Sequence, residues 1–462
     1  MTEELKTYAL EEVLREEDEA LRQRRLKMHG EEAARSLEST RFGLALSGGG
    51  IRSATINLGF LSTLNRFHIL EKADYLSTVS GGGYTGGYVH TTLKKEGSYD
   101  ALFQPAHIER LRSNGEYMIP GQQGIRKMWN AFLLVVGYLS SLLMSWVGPA
   151  IFLILVFTLY KICISWYEID DAQSPLNWSN PDNQIWTLLL PLLETLGAVL
   201  VLHLLTNVFM RNHLSVSKWW NWVESILLVA VLAFLAAVLV VSFDPGSRIE
   251  GEEIGWAVLL VVGLFLAGFL TNPNALSFHR YYRKQLADTF LAFAGEYKNL
   301  WLKDLFSPKG EAANYLNPYP LVNTCLNLQN PGGDEKFKGA KASDYFLLSP
   351  LFCGSKLSRY VATARFPGYR KLTFPSALTV SAAAVNPGMG IYSNRLLSML
   401  MTIFNARLGI WVNNPSYQPP RWLRWWPTYW VWWPSYFFKE LLSNIGTRNR
   451  KLNISDGGHI EN

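Results

Sequence analysis

Three short segments of this chain hold residue types able to do chemistry. The first, Ser47-Gly48-Gly49-Gly50-Ile51-Arg52-Ser53, follows the apolar run Phe42 to Leu46 and opens a helical pattern. Successive glycines let backbone N–H groups crowd toward one point, and a helix N-terminus adds a positive dipole there, so the segment is an anion cradle. A phosphate loop needs GxxxxGK[ST], and no Lys follows these glycines; a dinucleotide loop needs GxGxxG, and Ala54 and Thr55 supply no final glycine. What remains is an oxyanion hole for acyl transfer, its donors facing the charge that develops on a tetrahedral intermediate. The second segment is Ser77-Thr78-Val79-Ser80-Gly81-Gly82-Gly83. A nucleophile elbow reads G-x-S-x-G because its strained turn has no room for side chains two positions either side of the Ser. Gly82 satisfies the downstream position, whereas Thr78 occupies the upstream one and is expected to open the turn. Taken alone, a Gly-rich turn without a catalytic role explains these residues as well. The third, Ser455-Asp456-Gly457-Gly458-His459, sets a carboxylate in what is, by itself, an Asp-Gly turn.

The elements that must position these residues follow from periodicity. Phe42 to Leu46 reads as a strand, Ile51 to Phe67 as a helix and Tyr75 to Val79 as a second strand, which is βαβ grammar and predicts a parallel sheet. The Asp turn also follows a strand-like run containing Leu452 and Ile454. Upstream, the first forty residues are rich in Glu, Arg and Lys with scattered apolar positions, and read as an exposed helix. No apolar run there reaches the roughly 7 to 15 residues of a signal peptide. Tyr281 to Phe293 looks helical, and the remainder mixes short apolar runs with Gly and Pro turns.

Glycine loop, elbow Ser and Asp-Gly-Gly, in that order and each after a strand-like run, resemble the patatin-like phospholipase family, with its GGG-x-R loop, G-x-S-x-G elbow and DG[GA] motif. Ser376 to Met389 (SALTVSAAAVNPGM) and Ser349 to Ser355 are similar to family segments too, so the resemblance covers about residues 40 to 90 and 275 to 462. It implies a three-layer α/β/α catalytic domain and a Ser-Asp dyad in place of a triad. Ser80 would be the acyl nucleophile, Asp456 the base, and Gly48, Gly49 and Gly50 the oxyanion donors. Arg52 would brace the glycine loop or meet a lipid phosphate, Gly82, Gly457 and Gly458 would support the two turns, and His459 would be structural. No metal or other cofactor is implied. The substrate would be the acyl ester of a phospholipid or lysophospholipid, with neutral glycerides and other lipophilic esters as the alternative.

Composition adds the membrane. Of 462 residues only 17% are charged and 49% are apolar, against roughly 25% charged in a soluble domain. Four apolar stretches, Ala131 to Tyr160, Ile185 to Met210, Trp219 to Phe243 and Gly255 to Leu270, are each near the length that spans a hydrocarbon core of about 30 Å. Within them Glu194 and His203 are expected to make inter-helix hydrogen bonds. Arg126 and Lys127, then Arg211, His213 and Lys218, then His279, Arg280, Arg283 and Lys284 flank the stretches on one side; acidic loops with Glu168, Asp170, Asp171, Asp182, Asp244, Glu250, Glu252 and Glu253 lie on the other. That asymmetry places both soluble parts on the cytoplasmic face. Ser80 and Asp456 can meet only after an even number of crossings, so Ala131 to Tyr160 is expected to be one span or a re-entrant pair.

The segment 421–438 holds Trp422, Trp425, Trp426, Trp430, Trp432 and Trp433 with Arg421, Arg424 and Lys439 around it, the composition of a membrane interface. The expected organisation is therefore a charged N-terminal helical segment (1–38), a first catalytic part (39–125), a transmembrane insertion (126–274) and a second catalytic part (275–462). The net charge of +6, from 43 basic and 37 acidic residues, suits an anionic lipid surface, and no nucleic-acid-binding signature accompanies it. Cys163, Cys325 and Cys353 are too few for a zinc site and are expected to be reduced. Membrane lipids are the expected substrate and environment. The rival reading is a membrane-anchored lipid-binding or scaffold protein that keeps the fold without the chemistry.

Overall fold

The computed structural model describes residues 6–119, 124–167, 258–259, 261–263, 272–306, 315–329, 343–366, 372–393, 395–418, 431–442 and 444–460. They form two compact units. The first comprises Met1–Leu134, Ser277–Val431 and Phe437–Asn462, and the second Val135–Leu276 with Trp432–Tyr436.

The first unit is mixed α/β, built on one sheet of strands β1 (Thr7–Tyr8), β2 (Gly43–Leu46), β3 (Tyr75–Thr78), β4 (Tyr319–Asn327), β5 (Ser343–Leu348), β6 (Phe352–Ser355), β7 (Arg359–Ala362), β8 (Ile410–Asn413) and β9 (Lys451–Asp456), in the order β1-β7-β6-β5-β4-β3-β2 with β9 between β4 and β8. Only β2, β3 and β4 pair in parallel; every other pair is antiparallel. The expectation of a parallel sheet is therefore corrected to a mixed one. The physical reason is connection length: β5, β6 and β7 follow one another through the short turns Ser349–Leu351 and Lys356–Ser358, and a tight turn can return only an antiparallel strand.

Strand alternation sends side chains to both faces. Leu44, Leu46 and Leu76 pack with Leu61 of helix α3 (Gly50–Arg66) and with Tyr88, Val89 and Leu93 of helix α4 (Gly81–Glu96). Val322 and Leu326 pack with the helices His279–Phe290 and Phe374–Ser381 through Ala287, Ala377 and Leu378. Tyr319 contributes instead to a cluster with Ala20 and Leu21 of helix α1 (Leu10–His29).

The N-terminal helix is not the exposed element its composition suggests. Val13, Leu21, Arg24 and Arg25 are buried. Arg25 reaches Asp74 through Nε and Nη2, at 2.7 and 2.6 Å, and donates further to Ala33 O and Thr40. Arg24 donates through Nε to Asn317 O at 2.9 Å. Asp74 O in turn accepts the Tyr319 N–H. Two guanidinium groups thus tie down the chain immediately before β3 and β4.

Ile125–Tyr167 is one helix of 43 residues that continues through Pro149, and from Val135 onward it belongs to the second unit. Within it Ile125–Ile151 is long and apolar enough to cross a membrane, the one such helix among the described residues. Gly148 permits that helix to meet Trp433, whose ring lies 2.7 Å from where a Cβ would stand. The second and third apolar stretches, most of the fourth, Glu194, His203 and four of the six tryptophans of segment 421–438 lie outside the described residues. Arg283, read from sequence as a juxtamembrane cation, donates instead to Ser376 Oγ, Lys298 O and Thr373 Oγ1 within the first unit.

Candidate active site

Strand β4 brings the two ends of the site together. Along one edge its first half pairs in parallel with β3, ending at Thr78 opposite Val322, and its second half pairs antiparallel with β9, ending at Asp456 opposite Thr324. The C-terminal ends of β3 and β9 therefore point at each other across a single residue, Asn323. The chain leaves β3 through Ser80, whose φ of 49° and ψ of −120° lie in a region disfavoured for a side-chain-bearing residue, and turns directly into α4. This is the strained strand-to-helix turn of a nucleophile elbow. It presents Ser80 Oγ to Asp456 Oδ2, to which the hydroxyl donates at 2.9 Å. The second carboxylate oxygen accepts the Gly458 N–H at 2.9 Å, so the group is held at both oxygens.

The glycines are required by contact. A Cβ on Gly81 would stand 2.1 Å from Gly50 O, one on Gly82 2.2 Å from Leu46 O, and one on Gly457 2.4 Å from Val79 Cγ2. Gly48 faces Ser80 itself, with 3.2 Å between a Cβ there and Ser80 Cβ. Gly49 is the N-cap of α3 at φ 128° and Gly50 its first residue at φ 63°, so their N–H groups have no intrahelical acceptor. The departure at Thr78 is absorbed without displacing the elbow: Gly86, on the following helix, leaves room for the Thr78 methyl, which lies 2.7 Å from where a Cβ of residue 86 would be.

Burial sets the electrostatics. Asp456 is 4% exposed, and desolvation pushes its carboxyl up to about 6, opposed by the hydrogen bonds from Gly458 N–H and Ser80. The carboxyl is thus more basic than an exposed aspartate while still ionised at neutral pH. His459 is not aimed at the pair. Its Nδ1 meets Ser455 Oγ at 2.9 Å and its Nε2 meets Ala384 O at 3.2 Å, and burial lowers its pKa, as suits a neutral structural ring. Cys325 and Cys353 are buried free thiols, and burial pushes Cys353 up to about 12.

Arg52 does not brace the glycine loop: it is exposed, on the outer side of α3. The bracing comes from Ser53, whose Oγ donates to Ser47 O at 2.5 Å, and from Asn57, whose Nδ2 donates to Ser53 Oγ at 3.0 Å. Two more residues that the motifs do not reveal hold the elbow. Ser381 accepts the Ser80 N–H on both its carbonyl and its hydroxyl oxygen, each at 3.2 Å, and its hydroxyl donates to Asn323 O at 2.6 Å. Asn323 donates through Nδ2 to Ser77 Oγ at 2.7 Å. The only sequence signal for Ser381 was its place in the small-residue segment Ser376 to Met389.

No family model and no curated protein matches the chain. Among solved structures it is similar to human GIVD cytosolic phospholipase A2, with a TM-score of 0.42 and 12% identity over 100% of this chain and 49% of that one. The chain spans about half the length of that phospholipase. A likeness of this degree carries no argument about activity, which rests on the residues themselves.

Proposed function

We propose that the protein is a membrane-bound serine acyl hydrolase of the patatin-like type, cleaving acyl esters of phospholipids or lysophospholipids through Ser80 and Asp456. The observation that carries the reading is the 2.9 Å hydrogen bond from Ser80 Oγ, on a strained elbow, to a buried carboxylate already oriented by Gly458. Asp456 Oδ2 takes the Ser80 proton as Oγ attacks the ester carbonyl, and the carbonyl oxygen becomes an oxyanion. The N–H groups of Gly48, Gly49 and Gly50 supply its donors. Collapse expels the alcohol, which receives the proton held on Asp456, and leaves an acyl-Ser80 ester. Water then gives its proton to Asp456 and adds to that ester; Ser80 departs, recovers a proton, and a fatty acid is released. Every group needed is a protein group, so the reading invokes no cofactor.

A lipid substrate is supported by the apolar helix Ile125–Ile151 and by the four apolar stretches, which together make a multi-pass anchor of segment 126–274 with the catalytic parts on the cytoplasmic face. An enzyme so anchored draws an acyl chain from the bilayer without moving it through water. The test is labelling of the detergent-solubilised protein with a fluorophosphonate probe. Adduct on the peptide containing Ser80, lost in Ser80→Ala and Asp456→Ala, is expected. Folded protein that never labels refutes the chemistry and leaves a lipid-binding scaffold.

A further inference from the structure

Helix α3 carries an outward face that the proposed reaction does not use. Its inner side is made of Ser53, Ala54, Asn57 and Leu61, all buried. On the opposite side Arg52, Ile56, Phe60 and Thr63 succeed one another at i, i+4, i+8 and i+11, a single stripe at helical spacing, and Phe67 continues it just past the helix end. Ile56 is 72%, Phe60 50% and Phe67 69% exposed. Scattered exposed apolar side chains need no explanation, but three large ones in one stripe do. Charge on this helix is one-sided. From Gly50 to Arg66 there is no Asp or Glu, while Arg52 and Arg66 are exposed and form no ion pair among the described residues.

An apolar stripe bordered by unpaired cations, with no anion to complement a protein surface of mixed charge, matches the layering of anionic headgroups over hydrocarbon. We propose that the outer face of α3 is a docking surface for a bilayer bearing anionic headgroups, with Ile56, Phe60 and Phe67 entering the headgroup–acyl boundary and Arg52 and Arg66 meeting headgroup anions. The stripe begins two residues after Gly50, so docking presents the glycine loop to the lipid layer. That consequence rests on the hydrolase reading; the docking itself does not.

The test uses the full chain with Phe60→Cys and Cys163→Ser, labelled with an environment-sensitive fluorophore and reconstituted into nanodiscs of phosphatidylcholine with or without phosphatidylserine. A blue-shifted emission, quenched by doxyl-labelled lipid and stronger in the phosphatidylserine discs, is expected. Arg52→Gln and Arg66→Gln should each lower the docked-to-undocked ratio about fivefold, the equivalent of the interaction of one basic residue with an anionic surface. A label that stays in water in both discs overturns the proposal, as does embedding indifferent to phosphatidylserine. A shift in detergent that grows with protein concentration also overturns it, because a second copy then covers the face. In parallel, Ile56→Ser/Phe60→Ser/Phe67→Ser should keep hydrolysis of a soluble short-chain ester and lose hydrolysis of vesicle lipid. If neither protein hydrolyses any ester, the hydrolase reading fails while the label still decides docking.

Discussion

Replacing Asp456 by Asn separates the chemistry of the site from its effect on stability. Burial raises this carboxyl from an ordinary 3.8 to about 6. A group whose folded pKa exceeds its unfolded value favours the fold while protonated, so its contribution is complete below about pH 4 and is lost as pH rises through about 6. At about 1.36 kcal/mol per tenfold change in proton affinity, that rise amounts to about 3 kcal/mol, the penalty for holding the ionised carboxylate at neutral pH. Asn cannot ionise, yet it can keep the geometry: its amide oxygen accepts the Gly458 N–H, and its NH2 donates to Ser80 Oγ where the carboxylate accepted. Urea unfolding of Asp456→Asn should therefore match wild type near pH 4 and show up to about 3 kcal/mol of added stability near pH 7.5. Turnover of a soluble ester should fall by about 10²- to 10⁴-fold, the usual contribution of a general base. Wild-type activity should rise through about pH 6 as Asp456 ionises. A stability difference that does not grow with pH, or a variant keeping more than about a tenth of wild-type turnover, refutes the assignment of Asp456 as the buried base.

Gly81→Ala should keep the far-ultraviolet circular dichroism of the wild type and lose on the order of a hundredfold in kcat, because a Cβ 2.1 Å from Gly50 O must part the elbow from the glycine loop, and about 1 Å of misplacement costs that much. Ser381→Ala removes a hydroxyl that both receives the Ser80 N–H and donates to Asn323 O. It should lower kcat with KM unchanged, cost about 1–3 kcal/mol in urea, and be partly rescued by Ser381→Thr. Arg25→Met strands the fully buried Asp74 carboxylate and should destabilise the fold by about 3–5 kcal/mol in the same assay, although Arg25 is remote in sequence from every motif.

The turns of the candidate site were legible in the sequence because they depend on backbone that only glycine permits. Gly81 and Gly82 touch backbone oxygens of the preceding loop and strand, and Gly457 touches Val79, so these positions cannot carry a side chain and stand out as motifs. Ser381 and Asn323 were invisible for the opposite reason. A serine among small residues and an asparagine in an apolar strand have no signature until β4 and the helix Phe374–Ser381 are placed, and only then do their polar atoms find Ser80 and Ser77. Arg24 and Arg25 sit in LREEDEALRQRRLKMH, where charge at helical spacing looks solvated; their burial depends on Asp74 and Asn317, supplied by distant parts of the chain. Strand direction departs from the sequence expectation because βαβ grammar describes β2, β3 and β4 alone, while the turns Ser349–Leu351 and Lys356–Ser358 make β5, β6 and β7 antiparallel.

The register of β4 explains how Ser80 and Asp456, separated by 376 positions, are brought together at all. Loop-closure entropy grows only logarithmically with the length of the intervening chain, so a long excursion between Glu96 and Tyr319 weakens the pairing little once the strands find their edge. Precision comes from elsewhere. Thr78 stands opposite Val322 and Asp456 opposite Thr324 on the same nine-residue strand, so the distance between Ser80 and Asp456 is fixed by one residue of β4 and by the turns of Ser80 and Gly457. Whatever the excursion contains, the 2.9 Å contact is set locally. Asn323, the residue in the gap, uses its side chain to hold β3 and its carbonyl to hold Ser381, which makes β4 both the ruler and the clamp of the site.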